Sequence, residues 1–423
     1  MANETLVRKR YELAREQYAL VGVDTEAALR TLSSVSLSLH CWQGDDVGGF
    51  ERPDASLTGG GIQVTGSYPG KARSVEELRM DLLKAYELLP GKHRLNLHAI
   101  YGEFGGKSVD RDQISAEQFR GWIDWAKQHS LKLDFNPTCF SHPKADDGFT
   151  LSHPRKEIRS FWIEHVKRCR EIAVVMGKEQ GSPCMHNLWI PDGSKDAPVD
   201  RWSARKRLRE SLDEIYAVAY PPTAIKDSVE SKLFGIGSEA FVVGSHEFYL
   251  AYALRNKKIV CLDLGHFHPT EQVADKISAL LQFFDELLLH VSRGVRWDSD
   301  HVVILNDEIH SLMEEIVRSN ALGRVHLALD YFDASLNRIG AWVTGARATL
   351  KGLLAALLEQ RERLHKAESR NDFFSRLALQ EEARLLPLGA VWDYHCLTAG
   401  VPTGDDWIEA VLRYESEILS KRK

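Results

Sequence analysis

The chain has 423 residues, enough to bury a large core and carry further elements beside it. Hydrophobic residues make up 43% and charged residues 27%, the balance expected of a soluble globular protein. A formal net charge of −6 offers no basic footprint for nucleic acid, and no apolar run is long enough to span a bilayer.

The first stretch, MANETLVRKRYELAREQYALVG, reads as a charged amphipathic helix rather than a signal peptide. Residues 4–31 form one or two helices, with apolar spacing through Leu6, Tyr11, Leu13, Ala14 and Tyr18. SVSLSLH (34–40) alternates apolar and polar positions and predicts a strand ending on His40. A long Gly- and Asp-rich loop follows, of a length uncommon unless it acts as a lid or binding loop. Ser74 with Glu77 predicts a capping box opening a helix to about Leu89. RLNLHAIY (94–101) is the second strand and carries His98. Ser115 and Gln118 form another capping box before a helix through Trp122 and Trp125. LKLDFNPT (131–138) is the third strand, followed by a long helix from about Arg155 to Met176. HNLWIPDG (186–193) is the fourth, followed by a helix from about Trp202 to Val218.

Four more strands come next: DSVESKLFG (227–235), IVCLDLGHFH (259–268), LLLHVSR (287–293) and RVHLALDYFD (324–333). Helices near 245–255, 271–286 and 307–319 separate them. Strict alternation of strand and helix implies a parallel sheet. Eight such units predict an α/β fold, a (β/α)8 TIM barrel with additional N- and C-terminal helices. The rival, a doubly wound open sheet, calls for a glycine fingerprint after the first strand, where the sequence has HCWQGDD instead. Residues 1–345 are read as the barrel with its helical lead-in, carrying the site. Residues 346–423 are read as a C-terminal helical extension that packs on the barrel or serves subunit association; we assign it to oligomerisation. Six scattered cysteines with no CxxC pair predict a reducing, cytoplasmic setting.

Residues two apart on a strand share a face. Glu230 and Lys232, Cys261 and Asp263, and His326 and Asp330 therefore pair by face. At the C-terminal mouth of a barrel the inward layer holds Glu230, Lys232, Asp263, His290 and Asp330, with His266, Asp298 and Asp300 on the loops above. So many carboxylates in one place must protonate or bind a cation. Carboxylate and imidazole with no well-placed thiolate point to Mn2+, Mg2+, Co2+ or Zn2+. Two adjacent sites are expected: Glu230, Asp263, His290 and Asp330 on strand ends, and His266, Asp298 and Asp300, more open to substrate. Any one of these residues alone is more often a cap or an ion-pair partner; the joint case rests on the barrel face where all can meet. His40 and His98 are balanced between substrate contact and structural hydrogen bonding. Trp42 and Trp189 are more often core than pocket wall, Gly59–Gly61 is a flexible loop rather than a phosphate cradle, and His268 caps a helix.

The runs LHCWQGDDVGGFE, LNLHAIY, LDFNPTCFSHP, IPDGSKD, VESKLFGIGSE, GHFHPTE, LLHVSRGVRWDSDHVV and LALDYFDASLNRI resemble L-rhamnose isomerases in all eight βα units. The resemblance implies a homotetrameric barrel using Mn2+ to interconvert L-rhamnose and L-rhamnulose. It carries the open-site ligands onto His266, Asp298 and Asp300, and the structural-site ligands onto Glu230, Asp263, His290 and Asp330. Xylose isomerase is similar in fold and metal logic, but its second-strand His has an Asp three residues on, where this chain has Tyr101. We expect a metal-assisted 1,2-hydride shift, with Lys232, His98 and Asp330 as catalytic groups and Trp189, His98 and Lys232 meeting the sugar. The alternatives are a barrel phosphodiesterase using the same ligands, an isomerase of another aldose, and a non-catalytic sugar- or metal-binding protein.

Overall fold

Eight strands close into a parallel barrel in sequence order: β1 Leu37–His40, β2 Arg94–His98, β3 Lys132–Asn136, β4 Cys184–Trp189, β5 Ile225–Glu230, β6 Ile259–Asp263, β7 Leu287–Val291 and β8 Val325–Leu329, with β8 pairing back onto β1. This computed structural model describes residues 4–51, 64, 66–235, 237–296 and 301–422. The strand residues alternate as a barrel requires. Leu37, Leu39, Leu95, Leu97, Leu133 and Phe135 join the main apolar core. Ser38, Asn96 and Asp134, the intervening residues, line a cavity on the barrel axis, and Ser38 donates to Asp134 at 2.7 Å. A small apolar layer of Met185, Cys261, Leu288 and Ala328 forms a separate cluster on the inner face of β4, β6, β7 and β8.

The helices are α1 Glu4–Leu20, α2 Thr25–Ser34, α3 Val75–Tyr86, α4 Arg120–Gln128, α5 Lys156–Gln180, α6 Arg201–Ile215, α7 His246–Asn256, α8 Ala274–Leu280, α9 Asp307–Arg318, α10 Arg338–Leu357, α11 Arg361–Glu368, α12 Phe373–Ala383, α13 Leu388–Thr398 and α14 Asp406–Glu417. The lead-in is two helices, with Gly22 at φ +81° between them. The buried stripe of α1 is Val7, Tyr11, Ala14 and Tyr18. Leu6 and Leu13, expected in that stripe, are exposed, because Tyr11 stacks face to face on Tyr394 of α13 at 3.7 Å and sets the helix rotation. The Ser115–Gln118 capping box is present, opening a 3-10 turn ahead of α4. Ser74 caps α3, but Glu77 turns to the Arg73 N–H instead of returning to Ser74. α5 runs four residues beyond the expected Met176 and stops where Gly181 takes a left-handed φ of +60°. No helix among the described residues is long and apolar enough to cross a membrane.

Candidate active site

Parallel pairing sets the heights of the side chains at the C-terminal mouth. Glu230 closes β5 and pairs with Cys261; Asp263 closes β6 and pairs with His290 of β7; His290 in turn pairs with Ala328, two residues before Asp330. One ligand atom each from Glu230, Asp263, His290 and Asp330 falls within 4.8 Å of the others. His290 Nδ1 is the hub, 2.9 Å from Asp330 Oδ2, 3.3 Å from Glu230 Oε2 and 3.6 Å from Asp263 Oδ2.

Four neutral donors hold the outer side of this cluster. Asn187 Nδ2 donates to Glu230 Oε2 at 2.5 Å, and its own Oδ1 accepts from Ser228 at 2.6 Å. Ser292 Oγ and the Gly265 N–H both donate to Asp263 Oδ1, at 2.8 and 2.6 Å. Trp42 Nε1 donates to Asp330 Oδ1 at 2.9 Å. Toward the centre, Glu230 Oε1, Asp263 Oδ2 and His290 Nδ1 are buried and have no hydrogen-bond partner. Orphaned atoms from two carboxylates and an imidazole, with the Asp330 carboxylate beside them, fit a hard or borderline divalent cation.

The electrostatics agree. Burial pushes Glu230 up, but the charges of His290 and His266 beside it outweigh that, and the carboxyl sits well below its usual range. Burial raises Asp263. Burial also disfavours charge on His290, yet the carboxylates of Glu230, Asp330 and Asp263 around it drive its pKa well above the usual value. The cluster demands positive charge at its centre, and with no metal a proton on His290 supplies it.

One sequence expectation needs correction. Cys261, the register partner of Glu230, offers its sulfur within 4.8 Å of Glu230 and His290, so a thiol does stand beside the cluster. Burial raises its pKa and keeps it protonated. Of the second expected site, Asp298 and Asp300 lie outside the described residues. His266 closes a 3-10 turn after β6; its Nδ1 donates to the Ser231 carbonyl at 3.0 Å and stands 3.1 Å from Glu230 Oε1. A proton on Nδ1 leaves Nε2 with the lone pair a metal needs.

β5 ends at Glu230, so Lys232 lies on the following loop rather than on the strand. It still returns to the site: Nζ sits 4.9 Å over the ring of Trp189. Trp189 lies parallel to His266 at 6.2 Å and meets Phe140 edge-on at 5.7 Å; Phe140 meets His98, and His98 meets Trp42. Trp42 and Trp189 are thus wall as well as core. His98 Nδ1 is 3.2 Å from Thr138 Oγ1 and Nε2 is 3.5 Å from Asn136 Nδ2, while Tyr101 donates to Asp45 at 2.6 Å. Burial lowers the pKa of His98 to about 3, so the ring is neutral. His40 is buried with both ring nitrogens unpartnered, and His268 bonds Thr270 on the surface.

Sequence reasoning missed Asn187, Ser292 and Phe140. Asn187 had a signal, since it sits two before Trp189 on the same strand face. Phe140 had none, because it follows the third strand in irregular backbone.

The sequence model of the family described as L-rhamnose isomerase (RhaA) matches residues 5–422. The chain belongs to the L-rhamnose isomerase family. It is 58% identical to the L-rhamnose isomerase of Rhodopirellula baltica over 98% of this chain and 97% of that one. It is 56% identical to the L-rhamnose isomerase of Bacteroides thetaiotaomicron over the full length of both. Among solved structures, D-allulose 3-epimerase from Methylomonas sp. is a distant likeness, 10% identical with a TM-score of 0.46, over 77% of this chain and 98% of that one. As a member of the L-rhamnose isomerase family, the chain is an aldose–ketose isomerase, an intramolecular oxidoreductase, and the hydrolase reading of the same ligand set is not favoured.

Proposed function

We propose that this chain interconverts L-rhamnose and L-rhamnulose by a metal-assisted 1,2-hydride shift. The observation that carries the reading is the convergence of Glu230, Asp263, His290 and Asp330 on one buried centre, in a chain of this family from residue 5 to residue 422. Mn2+ is the ion we assign to these four residues, with a second held by His266, Asp298 and Asp300; Zn2+, Co2+ and Mg2+ are alternatives at one of the two sites.

When bound, such ions act as Lewis acids on the neighbouring sugar oxygens. The remaining work belongs to the chain's own residues. Lys232 donates to the sugar oxygen on which charge develops. Asp330, on the rim, takes and returns a hydroxyl proton. His98 is neutral and bonds a sugar hydroxyl without the carboxylate partner a ring-opening dyad requires. Trp189 and Phe140 wall the apolar side, receive the methyl end of the sugar and exclude water, so that hydrogen passes directly between C2 and C1.

Deuterium at C2 of L-rhamnose is therefore expected at C1 of the product, retained through turnover. Extensive loss to solvent would instead indicate a proton shuttle through an enediol. A companion screen of L-rhamnose and related aldoses, with chelated and Mn2+-restored enzyme, checks substrate and metal together. Full activity after chelation would remove the metal, and faster turnover of another aldose would replace the substrate.

The same reading makes the protein a cytoplasmic homotetramer, with the barrel and its lead-in in residues 1–345 and residues 346–423 serving association. Exposed Phe373, Phe374, Leu377 and Leu385 on and beside α12 support that assignment. A monomeric mass by light scattering would end it.

A further inference from the structure

We propose that Trp42 is a positioning residue for the metal centre, fixing Asp330 so that a single oxygen faces the ion. The inference rests on the metal reading above. Asp330 is the ligand most in need of a restraint. Its side chain is 17% exposed, against 2% for Glu230, 0% for Asp263 and 1% for His290. It is also the first residue beyond β8, held to the neighbouring strand by a single N–H donated to the Val291 carbonyl at 3.3 Å. An unrestrained carboxylate on a rim can rotate, bind through one oxygen or two, or leave the ion.

Trp42 prevents that rotation. With its indole N–H on Oδ1, Oδ2 is left as the oxygen 2.9 Å from His290 Nδ1. Indole is a neutral donor, so it anchors Asp330 without adding a charge that would compete with a cation. The anchor is itself immobile. Trp42 is buried in a 3-10 turn, and Gln43 beside it clamps the backbone of Asp333, its amide donating to the Asp333 carbonyl at 2.9 Å and accepting the Asp333 N–H at 2.8 Å. The segments after β1 and β8, nearly 300 residues apart in sequence, are thereby stitched together at the rim. The Trp42 ring also meets His98 edge-on at 4.8 Å, so one side chain sets both Asp330 and the imidazole across the pocket.

The test is metal binding rather than turnover. Chelated wild type, Trp42→Phe, Asp330→Asn and the double variant are titrated with Mn2+ by calorimetry, with the metal-free melting midpoint as the check on folding. Phenylalanine keeps an aromatic edge toward His98 and removes the N–H. Trp42→Phe is expected to bind about 10-fold more weakly, and its effect is expected to vanish in the Asp330→Asn background. Equal affinity in Trp42→Phe, or an undiminished effect without Asp330, overturns the proposal. Failure of the wild type to bind Mn2+ overturns the metal reading instead. If Trp42→Phe does not fold, wild type labelled with 15N-tryptophan decides. One indole N–H resonance, displaced in Asp330→Asn, is expected to shift on saturation with diamagnetic Mg2+; no shift of that resonance on saturation overturns the proposal.

Discussion

His290 Nδ1 lies 2.9 Å from Asp330 Oδ2. Together with Glu230 and Asp263, the two form a cluster whose charges are balanced only when something positive occupies its centre. Metal removal should therefore leave a stressed site. Mn2+ at a free concentration of 100 times its Kd is expected to stabilise the chelated protein by about 2.7 kcal/mol. Asp263→Asn keeps an oxygen for Ser292 and Gly265 but removes a charge that burial already disfavours. Its metal-free form is expected to melt no lower than wild type while losing the Mn2+-induced rise. Calorimetric scans with and without Mn2+ check both; a wild-type rise in the variant would refute the assignment of Asp263 as a ligand.

Lys232 reaches the site from a loop and is held over Trp189. Lys232→Met keeps the stem on the indole and removes the ammonium donor. If that donor meets charge appearing in the reaction, kcat falls roughly 10²- to 10³-fold while Mn2+ affinity is unchanged. Steady-state kinetics beside a calorimetric titration separate the two; loss of metal binding with the rate would make Lys232 a structural group.

Asp45 offers a pH test away from the ligands. Burial raises its pKa from 3.8 to about 7, opposed by the hydrogen bonds from Tyr101 and the Gly49 N–H. The folded state thus holds a proton that the unfolded chain releases near 3.8. The contribution is complete below that value and is lost as pH rises through about 7. Relative to Asp45→Asn, wild type is expected to lose on the order of 1 kcal/mol per pH unit across this window. Urea unfolding of both proteins at several pH values measures the difference, and parallel curves would contradict it.

Asp227 ties the barrel to its helices. It receives Arg170 at 2.9 and 3.0 Å and Lys258 at 3.0 Å, and its pKa lies far below the usual range because these charges and His186 outweigh its burial. Arg170 also donates to the Ile215 and Val218 carbonyls, so it cannot follow a lost partner. Asp227→Ala is expected to cost about 3–5 kcal/mol. A cost below about 1 kcal/mol by urea unfolding would mean that water relieves the stranded guanidinium.

The sequence by itself determined the barrel and the four residues that gather at its mouth, because both are written in local patterns. Eight strands alternating with helices, with no glycine fingerprint after the first, favour a closed barrel over an open sheet, and carboxylates or imidazoles ending four strands gather where parallel strands end. Lys232 continues the sequence pattern of a strand that stops at Glu230, since periodicity does not mark where pairing ends. Leu6 and Leu13 fit the apolar spacing of α1 yet are exposed, because helical spacing does not say which stripe faces a distant partner such as Tyr394. Only the tertiary structure decided the supporting cast. Trp42 reaches Asp330 across β1 and β8, Asn187 reaches Glu230 across β4 and β5, and Ser292 reaches Asp263 across β6 and β7. Those contacts depend on the register of neighbouring strands and on chain closure over hundreds of residues, and no short-range pattern encodes either.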